Sequence, residues 1–151
     1  MRRTTLTVIV LAALAGLACA AVSSASGGIK GAAAGGKLMV RISGMNEGGK
    51  GDSVTNGGVA GTGHFRASGA ISEKGKVVVY RTVREPLITL RNVAVGKKGT
   101  ITFVVKINMT LGSSRWTITS GTKAYKGLHG KGIESENADY TVSTLTGTVW
   151  R

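Results

Sequence analysis

The chain has 151 residues, 20 Lys and Arg against seven Asp and Glu, and a single cysteine. That length holds one domain at most besides an N-terminal segment, and one cysteine rules out an internal disulfide. The positive surplus implies attraction to anionic material (wall polymers, lipid headgroups, polyanionic glycans or extracellular nucleic acid), although a basic surface can also serve solubility alone.

Arg2 and Arg3 precede an apolar run from Leu6 to Leu17, and Ala18-Cys19-Ala20 supplies the small residues that a signal peptidase inspects. Residues 1–20 therefore read as a secretory signal peptide, with Ala25 as the later alternative for cleavage, and the protein is expected outside the cytoplasm, extracellular or periplasmic. Cys19 as a lipoprotein cysteine lacks the leucine three residues before it, and the surroundings of Arg2-Arg3 fit a twin-arginine signal poorly. Cleavage removes the only cysteine and two basic residues, leaving 18 basic against seven acidic ones. No other segment is long and apolar enough for a membrane-spanning helix.

Residues 21–36 are rich in Gly, Ala and Ser and read as a flexible linker. Within them Gly31–Leu38 approaches a P-loop, but Leu38 stands where a magnesium-binding hydroxyl is needed and a strand-like run follows, so that reading is discarded. The domain spans 37–151. Strands are expected at 37–43, 59–72, 76–85, 87–95, 100–111, 115–119, around 128–136 and at 139–150, with turns at Glu73-Lys74-Gly75 and Gly96–Gly99 and a long loop at 44–58. In 100–111, Ile101, Phe103, Val105, Ile107, Met109 and Leu111 fall on one face, a period of two over six steps. No useful helical period occurs. About eight strands joined by glycine turns imply an all-β fold, a small closed antiparallel barrel with a β-sandwich as the alternative.

A glycine motif occurs twice. Gly61-Thr62-Gly63-His64-Phe65-Arg66 leads to Gly69, and Gly121-Thr122-Lys123-Ala124-Tyr125-Lys126-Gly127 leads to Gly130 and Gly132. In each, glycine ends one strand, an aromatic plugs the core and later glycines let the next strand bend. With no helix following, these glycines cannot present a helix N-terminus to a phosphate. The second copy resembles the signature of the allene oxide cyclase barrel-like proteins, and "GTGHFRASG" is similar to a run in the dirigent proteins. Lys123 stands in place of that signature's usual glycine, and the dirigent-like run lies early in the chain, not late. The resemblance spans roughly 59–150 and implies a calycin-like barrel. It also implies an isomerase, cyclase or radical-orienting activity on a small hydrophobic substrate, but no catalytic residue of either family maps onto this chain.

Two histidines, His64 and His129, are too few for a zinc site, and no cofactor is expected. No nucleophile elbow is present. Glu73, Glu85, Glu134, Glu136 and Asp139 lie near turns and strand ends and read as solvated. In 76–85, Val77, Val79 and Val83 form the more apolar face and Arg81 shares it. An inward Arg81 needs an acid, an amide or an anionic ligand as partner; the alternative puts Tyr80 inward and Arg81 in water. Arg81, Phe103, Trp116 and Tyr125 are thus the candidate ligand-lining residues. The seven aromatics fall mostly on core faces, leaving little stacking platform for nucleic acid, and no specific nucleic-acid partner is expected. The expected function is that of a secreted, non-enzymatic barrel. It would hold a small apolar ligand or associate with anionic cell-surface polymers.

Overall fold

Period-two alternation and frequent β-branched residues put each segment on a pleated surface with one buried side. The computed structural model describes residues 35–47 and 56–151. Eight strands follow one another: β1 (Gly36–Glu47), β2 (Asn56–Gly69), β3 (Glu73–Arg84), β4 (Leu87–Gly96), β5 (Thr100–Asn108), β6 (Ser113–Gly121), β7 (His129–Glu136) and β8 (Val142–Trp150). Each pairs antiparallel with the next, and β8 pairs with β1, so the sheet is a closed barrel and leaves no unpaired edge. The expected signal peptide, Cys19 and linker residues 21–34 lie outside the described residues, and Gly36 already belongs to β1.

Closure sets a stagger. Partner pairs lead from Arg81 on β3 through Leu90, Val105, Trp116, Gly132, Gly147 and Leu38 to Gly69, beside the opposite end of β3. A small barrel needs that shear to tilt its strands. The apolar interior is filled by side chains from every strand but β7, including Val40, Phe65, Val77, Ala94, Phe103, Trp116 and Leu145. Strand β7 contributes Gly130 and Gly132 instead. The indole of Trp116 occupies the space left by Gly132 and its partner Gly147, where an added Cβ would come within 2.7 Å of the ring system. Trp116 has no exposed surface, and its indole N–H donates to Thr146 O at 3.1 Å.

Several boundaries differ from expectation. The turn between β2 and β3 is 70–72, and Glu73-Lys74-Gly75 belongs to β3, because buried Ile71 folds inward after Gly69, whose φ is +95°. Strand β5 stops at Asn108. There the side-chain carbonyl accepts the N–H groups of Thr110 and Leu111, each at 3.0 Å, and turns the chain. Met109 and Leu111, expected on the core face, are therefore exposed, Leu111 at 74%. The first glycine motif lies wholly inside β2, so Gly61 ends no strand, whereas the second spans the β6–β7 connection through a 3-10 turn at Lys123–Tyr125.

Alternating strand direction puts the turns at 70–72, 97–99 and 122–128 at one end of the barrel, here the Tyr125 end. The turns at 85–86, 109–112 and 137–141 lie at the other, the Glu134 end.

Candidate functional site

The four candidate ligand-lining residues do not converge. Phe103 and Trp116 meet edge to face in the core, with ring centroids 5.8 Å apart. Tyr125 is buried at its own end of the barrel, where its ring plugs the core. Arg81 shares the inner side of β3 with Val77 and Val79 and pairs with Leu90, half-buried towards the Glu134 end. Tyr80 is on the outer side, with the Arg91 guanidinium 3.8 Å from its ring centroid, so the alternative orientation of β3 is not adopted.

Two carboxylates expected in solvent are structural. Glu134 is 9% exposed and accepts hydrogen bonds from the Ser114 hydroxyl at 2.5 Å and the Ser143 hydroxyl at 2.6 Å. Its place on the inner side follows from β7 alternation, Gly130–Gly132–Glu134, a signal readable once the glycines are recognised as inward positions. Glu73 accepts the Lys98 N–H at 2.9 Å, the Lys74 N–H at 3.1 Å and the Tyr125 hydroxyl at 3.0 Å. Burial pushes its carboxyl up, but those hydrogen bonds together outweigh burial and hold it below the usual value. Burial, and then the bond to Glu73, push the Tyr125 hydroxyl above its ordinary value.

The chemistry with most reach lies on the outer surface of β1–β4. A groove of about 640 Å3 runs there, rimmed by Arg41, His64, Arg66, Lys74, Lys76 and Lys97, with no carboxylate in its lining. Register creates the cluster. Arg41 is directly opposite Arg66, and Arg66 directly opposite Lys74. A second row runs Ser43, His64, Lys76 and Val95. Like charges in direct cross-strand register disfavour the sheet, so this arrangement is one that a bound anion relieves. Beneath the groove Gly75 and Gly96 pair at inward positions of β3 and β4, which leaves room for the buried Phe65 ring inside the barrel. A Cβ at Gly75 would stand 2.0 Å from Val95 O and 3.0 Å from that ring.

Sequence reading missed this face because Arg41 is far from the other two in the chain and Lys74 reads as a turn residue, not as part of a strand opposite Arg66. Only the outward parity of three consecutive strands, with their register, unites them. His129, the other histidine, stacks on Trp150 at 6.2 Å, on the outer surface of β7 and β8. Among the described residues, no group of three or more His, Cys, Asp or Glu is placed to hold a metal ion. No protein-family model, curated protein or solved structure matches the chain.

Proposed function

We propose that this protein is an exported, non-enzymatic β-barrel module that associates with anionic cell-surface polymers through the outer face of β1–β4. The observation that carries this reading is the Arg41–Arg66–Lys74 register, joined by Lys76, Lys97 and His64 around one groove without a carboxylate in its lining. A polymer with repeated charges gains from several such contacts at once, and the released counterions make the attraction salt-dependent. The interior gives a small apolar ligand less support, since Val40, Phe103, Val105, Trp116 and Leu145 already fill it to 0–1% exposure.

Salt-gradient elution from an immobilised polyanion such as heparin tests the reading. The unmodified protein should be retained and should elute as salt rises, since exposed charge pairs are screened. The triple variant Arg41→Glu, Arg66→Glu, Lys74→Glu should elute much earlier. A control of equal charge change on the opposite outer face, Lys106→Glu, Arg115→Glu, Lys131→Glu, should move little. Equal losses in both variants, or retention indifferent to salt, would sink the proposal.

A further inference from the structure

Resting on the polyanion reading of this face, we infer that the groove takes a linear, base-free phosphate-ester polymer laid across the strands. Direction comes first. Arg41, Arg66 and Lys74 succeed one another on β1, β2 and β3, perpendicular to the strand axes. Lys97 continues the line at the groove rim, one residue beyond Gly96, which pairs with Gly75. Neighbouring strands lie about 4.8 Å apart, so the row offers one cation per strand step. A chain lying along a strand would meet fewer: in the groove lining β1 gives Arg41, β2 gives Arg66 besides His64, and β3 gives Lys74 and Lys76, against four cations in the row across the strands.

Charge density comes second. One anion for each strand step is met by a phosphate-ester chain, whereas a polysaccharide with one carboxylate every two sugars leaves cations unmatched. Arg41 and Arg66, side by side, present two planar forks that grip paired oxyanion oxygens, while Lys74 and Lys97 act as point charges at the other end of the row. The absence of bases comes third. Binding single-stranded nucleic acid draws on exposed aromatic rings for stacking. Within this groove Phe65 lies beneath the paired glycines and is only 3% exposed, and the neighbouring Tyr80 ring is covered by Arg91. Only the His64 imidazole stands on the surface, which is one ring and no platform.

Titrating the full chain with glycerol-phosphate diester oligomers of increasing defined length, by calorimetry at several salt concentrations, tests this. Affinity should climb steeply from glycerol phosphate through short oligomers, then flatten to a shallow statistical rise once a chain spans the row. Arg66→Ala at the row's centre should cost about tenfold and lower the salt slope by about 0.7, the contribution of one phosphate on a single chain. Arg66→Lys, which keeps the charge and loses the fork, should fall between. Lys97→Ala, at the row's end, should bring the plateau at shorter length. Folding of each variant is checked by its denaturation midpoint, and Arg66 and Lys97 are both exposed. Tighter binding of length-matched oligothymidylate, or of a carboxylate or sulfate polymer, with the same dependence on Arg66, would overturn the base-free phosphate assignment while leaving the polyanion reading intact. Failure of every polymer to bind, or binding indifferent to Arg41 and Arg66, would overturn both.

Discussion

At the Tyr125 end of the barrel, separate turns are tied to one another. Glu73, just after the β2–β3 turn, accepts from Lys98 in the β4–β5 turn and from Tyr125 in the β6–β7 connection. Ala124 N–H donates to Lys98 O at 3.2 Å, Lys98 Nζ donates to Ser72 O at 3.3 Å, and the Arg151 guanidinium donates to Ala124 O. At the Glu134 end the turns look mainly after themselves. Asn108 caps its own turn, and Asn137 closes the β7–β8 hairpin through Val142 and Thr141. Among the described residues, one backbone bond, Met109 N–H to Pro86 O at 3.0 Å, links two turns there. Large apolar side chains follow the same division: Tyr125, Ile71 and Leu128 are buried at the first end, whereas Leu87, Met109, Leu111 and Tyr140 are exposed at the second. Cross-linking through side chains makes an end cooperative, while local capping leaves its loop tips free to vary.

The most severe way to break this comparison is Tyr125→Ala. Truncating a buried aromatic costs about 3–5 kcal/mol, and here it also removes one donor from Glu73. Leu111→Ser, at a tip with 74% exposure, should stay within about 0.5 kcal/mol. Denaturant midpoints of the two variants measure the contrast. If they shift alike, the two ends do not differ in the way their hydrogen bonds indicate.

How much of this was legible beforehand differs between architecture and site. Alternation in 100–108 and the glycine turns contain the barrel, because a closed meander is what short, half-buried strands with tight connections form. Tyr125 as a plug was legible too, since an aromatic between strand-ending glycines has little else to cover. Periodicity overreached at Met109 and Leu111, where the Asn108 side chain captured the backbone and ended the strand. The buried role of Glu134 needs its two serine donors, and Ser114 and Ser143 come from β6 and β8, which flank β7 only once the register is known. The same applies to Arg41, Arg66 and Lys74: their outward parity is in the sequence, their alignment is not.

An intermediate effect probes Glu134 itself. Hydrogen bonds to a charged group contribute about 1.5–3 kcal/mol, so Ser114→Ala should cost that much and leave half of the carboxylate to Ser143. Ser135→Ala, at an exposed position on the same strand as Glu134, should be close to neutral. A double variant, Ser114→Ala with Ser143→Ala, should cost more than the sum of the singles, because the last donor to a buried charge is the hardest to lose. Additive losses would mean that Glu134 finds another donor.

The smallest effect is the one that sharpens the comparison most, because its sign differs between the ends. The carboxyl of Glu73 is held below its usual value, so it contributes stability above about pH 4.3, where the unfolded chain ionises, and that contribution is lost as pH falls through the lower folded value. Glu136, at the Glu134 end, is pushed up first by partial desolvation and then by the charge of Glu134. It contributes below the unfolded value and loses that contribution as pH rises through the raised one. At neutral pH, Glu73→Gln should therefore lower the denaturant midpoint and Glu136→Gln should raise it slightly. Salt should shrink the second effect, since part of it is charge repulsion felt at the exposed Glu136. At pH 3, below both the unfolded and the raised value, Glu136 is protonated in both states and the advantage of Glu136→Gln should vanish. A midpoint difference for Glu136→Gln that is unchanged between pH 3 and pH 7 would remove charge as its cause and, with it, this electrostatic distinction between the two ends.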